Sequence, residues 1–109
     1  MNKVQTFIEH MIDSIEKISE FTKNVNEDDF SSNIQLQDAV VRRIEIIGEA
    51  AKNIPKDFIQ KHNNIPWKEI IGTRDKIIHH YFGINLDIVW NIVKNDLPDL
   101  KKKLEGTNF

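Results

Sequence analysis

Cysteine is absent from this 109-residue chain, which excludes thiol catalysis, cysteine-ligated zinc and a disulfide framework. That suits a reducing compartment. No apolar run approaches the roughly 18 residues a membrane span needs. Glu9, Asp13 and Glu16 interrupt the apolar pattern of the N-terminus, so it reads as neither a secretory signal nor an anchor. A soluble, cytoplasmic protein with no membrane partner is expected. Positive charge is not in excess either: 15 basic against 17 acidic residues leave a formal charge of −2, which argues against a nucleic-acid coat built on bulk charge. A local basic site is still allowed at Arg42-Arg43, at Arg74 with Lys76, or at Lys101-Lys102-Lys103, although the last run is what the solvated end of a helix ordinarily carries. Glycine-rich phosphate loops, H-E-x-x-H metal pairs and nucleophile-elbow serines are all missing. No cofactor and no metal are expected.

What is present is helical periodicity. The length fits one domain over residues 1–109, able to bury roughly two thirds of its unfolded surface. Val4, Phe7, Ile8, Met11, Ile15, Ile18 and Phe21 predict an amphipathic helix over about residues 3–23. Residues 24–33 are polar and acidic around Phe30 and predict a connection with one short helical turn. Glu27, Asp28 and Asp29 lack the spacing and glycine turn of a calcium loop. A second long helix is expected from about Ile34 to Asn53, burying Leu36, Val40, Ile44, Ile47, Ala51 and Ile54. Gly48 and Ala51 would let a neighbouring helix approach, while Arg42, Ile46 and Glu49 lie on the opposite side and hint at a second contact surface. Pro55 to His62 predicts a short helix with Phe58 and Ile59 inward and His62 as a surface or capping residue. Asn85 is expected to cap a last helix carrying Leu86, Val89, Trp90, Val93 and Leu97, which Pro98 bends or restarts before Leu100 and Leu104. Trp67 and Trp90 read as core. With no strand pattern, the expected fold class is all-α: an antiparallel bundle of four main helices plus short helical turns.

The central segment holds the unusual residues. Read as one helix from Pro66 to Phe82, stopped by Gly83, it gathers Trp67, Ile70, Ile71, Ile77, Ile78 and Tyr81 on one face, with Arg74 in the middle. A guanidinium at a core position costs several kcal/mol unless it is paired or solvated. A structural ion pair to Glu45 or Glu49 is the plain explanation. Two histidines and a tyrosine follow within seven residues, however. On an ideal helix Arg74 and Tyr81 point the same way about 10 Å apart, whereas His79 lies some 140° round. Convergence would need a distortion near Gly72, long side chains reaching round, or a second chain. His79 and His80 are adjacent, which is poor geometry for two ligands to one metal. A cation and an imidazole without a protein nucleophile still suffice for one reaction, cleavage of RNA by its own 2′-hydroxyl, in which imidazole moves protons and guanidinium offsets phosphoryl charge. DNA lacks the attacking group.

Arg74, four residues, His79, one residue, Tyr81 is an R-x4-H-x-Y pattern that resembles the HEPN domain proteins, specifically the HepT toxins. Arg42-Arg-Ile-Glu-Ile-Ile-Gly-Glu-Ala50, and Tyr81-Phe-Gly-Ile-Asn followed by Val89-Trp90, look like the same family, and the likeness spans nearly the whole chain. The resemblance implies a HEPN-like helical bundle that forms a homodimer with two motifs facing a shared cleft. It implies a toxin of a toxin–antitoxin pair with metal-independent endoribonuclease activity. It also implies an antitoxin partner, a small nucleotidyltransferase (MNT), that attaches AMP to the motif tyrosine. Carried over by position, Arg74 would contact the phosphate, His79 would be the acid/base residue and Tyr81 the AMP acceptor, with Asp75 orienting Arg74. His80 occupies a variable position and takes no role. In a dimer, His79 need not meet the Arg74 of its own chain. The competing readings are a nucleotide- or RNA-binding module without turnover and a subunit that tethers its partner.

Overall fold

A computed structural model describes residues 3–79 and 83–108. Its architecture is the expected all-α bundle. The first helix, α1, runs Lys3–Phe21 and buries Ile8, Met11, Ile15 and Ile18 of the predicted stripe together with Ser14, which the stripe did not include, whereas Phe21 at its end stays exposed. Thr22 follows with its hydroxyl on the Ile18 carbonyl at 2.8 Å. Asn24, at φ 60, then turns the chain out of the helix through the left-handed region that asparagine tolerates.

The acidic connection contains the anticipated turn, α2 (Glu27–Ser31). Asn26 accepts from the Asp29 N–H at 2.8 Å and Asp29 reaches back to the Asn26 N–H, a capping box that assigns this part of the acidic cluster to helix initiation. Phe30 is fully buried against Trp90, with ring centroids 5.2 Å apart.

The helix α3 (Ile34–Lys52) is capped by Asn33, whose side chain accepts from the Leu36 N–H. It packs along α1 and supplies the middle of the core with Val40, Val41, Ile44, Ile47, Ala50 and Ala51. Ile46 is half-buried and lies outside that core cluster. The short helix α4 (Lys56–Lys61) follows Pro55. Phe58 is half-buried, its ring 4.3 Å from His62 and edge-on to Trp67, and the Trp67 Nε1 donates to the His62 carbonyl at 3.0 Å.

The predicted continuous helix from Pro66 to Phe82 does not form. In its place are α5 (Trp67–Ile71), a break at Gly72, α6 (Thr73–Ile77) and then a small antiparallel pair, β1 (Ile78–His79) with β2 (Gly83–Ile84), in the register Ile78↔Ile84 and His79↔Gly83. Two isoleucines at the end of α6 carry the β-branching that favours extended backbone. Gly83 is not a helix stop but a strand residue at φ 83, a conformation in which glycine is at ease and an L side chain is strained.

The last helix begins as expected, with Asn85 accepting from the Ile88 N–H at 3.1 Å. It proceeds as α7 (Leu86–Asn91), a π-helical turn (Ile92–Asp96) and α8 (Leu97–Glu105). Pro98 has no N–H to offer the Lys94 carbonyl, and just before it the Leu97 N–H bonds back five residues to Ile92. Pro98 therefore restarts the helix. Trp67 is core, whereas Trp90 is only half-buried and has the Lys94 ammonium 4.7 Å from its ring centroid. Among the described residues no helix is long and apolar enough to cross a membrane.

Candidate active site

The break at Gly72 decides where the motif residues go. Gly72 closes α5 with φ −82 and ψ 0, and its carbonyl accepts from the Lys76 N–H at 3.3 Å as α6 begins. Thr73 ties the two short helices together by donating its hydroxyl to the Glu69 carbonyl at 2.7 Å. The apolar side of the segment is buried through Trp67, Ile70 and Ile77. Arg74 is not on that side. Its side chain is 61% exposed, so the expected guanidinium in the middle of a buried face is corrected: two short helices, not one long one, turn it to the surface.

Its partner is the plain one anticipated. The Arg74 Nε lies 3.6 Å from the Glu45 carboxylate on α3, and the Glu45 side chain is 30% exposed. Glu49, the other candidate, is instead held by Lys52 at 3.2 Å, one helical turn along. A lysine three residues after Glu49 was the signal in the sequence that separates the two carboxylates. Arg74, Glu45, Gly48, Ile70 and Ile71 line a small cleft between α3 and the α5–α6 corner. The two backbones come close at Gly48, where a Cβ would lie in ordinary contact with the Ile70 carbonyl at 3.4 Å. That is the close helix approach the small residue predicts.

On a partly exposed pair such as this, solvent screening leaves about 0–1 kcal/mol of net stabilisation. The fold therefore does not depend on Arg74, whose exposed guanidinium is open to an incoming anion. Asp75 and Lys76 are exposed beside Arg74. Thr73 and Lys76 also contribute to a cavity of about 280 Å³ with an apolar floor that includes Ile44, Ile47, Ile70, Leu97 and Leu100.

His79 is placed by its backbone alone, on β1 opposite Gly83. The 140° helical offset from Arg74 does not apply, since His79 is on a strand and Arg74 on a helix. Ile77 anchors the base of this corner: its carbonyl accepts from the Asn85 N–H at 2.7 Å. His80 and Tyr81 lie outside the described residues. The structure thus brings Arg74 to a surface cleft and puts the His79 backbone five residues on. Among the described residues no group of three or more histidines and carboxylates is placed to hold a metal ion.

The profile of the family described as "Ribonuclease HepT-like" matches residues 11–106. The chain is 48% identical over 99 residues to "Probable ribonuclease HepT" of Thermococcus cleftensis, covering 91% of this chain and 90% of that one. It is 43% identical over 105 residues to a "Putative RNase" of Caldanaerobacter subterraneus, covering 96% and 94%. A third relative, from Methanocaldococcus jannaschii, is named "Gamma-glutamylcyclotransferase and putative RNase"; identity is 52% over 101 residues, 93% of this chain but 46% of that protein, so the chain spans about half of its length. No solved structure matches. With all but its first ten and last three residues inside the matched region, the chain belongs to the ribonuclease HepT-like family.

Proposed function

We propose that the protein is the toxin of a toxin–antitoxin pair, a metal-independent endoribonuclease whose site is built from Arg74 and His79 and silenced by AMP on Tyr81. The observation that carries this reading is an exposed arginine on a cleft within a chain of the ribonuclease HepT-like family, at the head of an R-x4-H-x-Y sequence. In the reaction the RNA 2′-oxygen attacks the adjacent phosphorus and the bond to the 5′-oxygen breaks. The 2′-hydroxyl proton passes to a base and the leaving 5′-oxygen takes one up, so the ends are a 2′,3′-cyclic phosphate and a 5′-hydroxyl. His79 is the acid/base residue and Arg74 offsets charge on the phosphoryl oxygens. Two subunits facing each other supply the shared cleft, with His79 of one chain free to serve Arg74 of the other.

A nucleotidyltransferase partner adds AMP to the Tyr81 hydroxyl, releasing pyrophosphate from ATP, and so gives the protein a phosphodiester anion of its own that can compete for Arg74. That anion makes the charge-assisted contacts the substrate would otherwise make. The test is Tyr81→Phe. The variant retains much of its RNA cleavage, gains no AMP mass on incubation with the nucleotidyltransferase and ATP, and escapes neutralisation; an adduct on another residue, or equal neutralisation of both proteins, defeats the assignment.

A further inference from the structure

We propose that Glu45 is a positioning residue for Arg74, holding the Nε edge of the guanidinium so that its other edge is presented to a phosphate at the cleft. The inference rests on the ribonuclease reading above and gives Glu45 the orienting part that the family likeness would assign to Asp75. Three observations carry it. Glu45 approaches Arg74 through Nε at 3.6 Å, an ion pair just beyond hydrogen-bond length, and a planar guanidinium approached on that side still has a bidentate edge for a phosphate. The Arg74 side chain is 61% exposed, so packing does not fix its direction, and the Glu45 carboxylate is the charged group the structure pairs with it. Finally, α3 and the α5–α6 corner come close at Gly48, one turn from Glu45, where a Cβ would lie in ordinary contact with the Ile70 carbonyl at 3.4 Å. The second carboxylate on this side of α3, Glu49, lines the same cleft but pairs with Lys52, and Glu45 is the one that pairs with the arginine.

A carboxylate beside an anion-binding arginine weakens ground-state attraction for RNA while keeping the cation aimed. Its removal should therefore reduce turnover without weakening binding, a pattern that a purely structural contact does not produce. Glu45→Gln removes the charge at nearly constant shape, and Glu45→Asp keeps the charge at shorter reach. Asp38→Asn, seven residues earlier on the same helix and exposed, controls for net charge.

The readouts are kcat and KM on RNA, Kd for an RNA blocked by 2′-deoxy substitution, and the Arg74 Nε–Hε resonance, identified by its loss in Arg74→Lys. Expected for Glu45→Gln are a kcat lower by about tenfold, KM and Kd no higher than wild type, and a shifted, faster-exchanging Arg74 resonance. Glu45→Asp should fall between it and wild type, and Asp38→Asn should match wild type. An unmoved Arg74 resonance in Glu45→Gln overturns the proposal, as does a moved resonance with unchanged or higher kcat. If wild type itself cleaves no RNA, it is the ribonuclease reading that fails, and the resonance alone then decides whether Glu45 holds Arg74.

Discussion

Arg74 illustrates how much a single residue's environment changes what its substitution means. Placed on a buried face, its truncation would have altered stability in either direction; exposed and paired across 3.6 Å, it contributes little to the fold. Arg74→Ala is therefore expected to unfold within about 0.5 kcal/mol of wild type while losing RNA cleavage, a separation that thermal melts and a gel assay on the same preparation reveal. A large stability loss alongside the lost activity would mean the arginine is structural. His79→Ala should lower cleavage by about 10²–10⁴, the range for removal of a positioned acid/base group. Phe30 is the opposite case. It stands alone in a polar connection, yet it is fully buried against Trp90 on the short helix that the Asn26–Asp29 capping box starts.

At the scale of elements, the corner between α5 and β2 is where the chain departs from simple periodicity. Gly83 pairs with His79 across the two strands at φ 83, with open space around its Cβ position. Gly83→Ala should cost about 1–2 kcal/mol from backbone strain alone, and it should depress cleavage because the strand it distorts, β2, pairs with the His79 backbone on β1. A melting temperature and activity both equal to wild type would remove this corner from the account. The long helices were legible from residue spacing: α1 and α3 end within one or two residues of their predicted limits, and the Asn85 cap sits where helix-start chemistry puts it. The central segment was not. Ile70-Ile71 and Ile77-Ile78 are seven apart, which fits a helical face, but paired β-branched residues in short runs fit a strand equally well. Only the tertiary setting, with Trp67, Ile70 and Ile77 buried and Gly72 between them, selects two short helices and a strand pair. The choice of Glu45 over Glu49 as partner likewise depends on which turn of α3 the corner meets.

At the scale of the whole molecule, the remaining requirement is a site that joins Arg74 to His79, and a second copy of the chain is the simplest supplier. The half-buried Ile46 lies outside the core cluster on a side of α3 that also exposes Arg42 and Glu49, an apolar residue rimmed by charge. A stable pair needs roughly 800 Å² from each partner, a modest share of the 7150 Å² this chain exposes. In solution the 12.8 kDa chain should scatter light as a pair at micromolar concentration, and Ile46→Glu should shift it toward the monomer with loss of cleavage. The sharper test uses two inactive proteins. If each site takes Arg74 from one subunit and His79 from the other, a mixed dimer of Arg74→Ala and His79→Ala chains holds one site with both changes and one with neither. Random exchange makes half the dimers mixed, so the mixture should regain about a quarter of wild-type activity. If both residues of a site come from the same chain, every site in the mixture carries one change and no activity returns. Recovery on mixing, absent when Ile46→Glu is added to both chains, would place the two motif residues across the interface; a mixture as inactive as its parts would return them to a single chain.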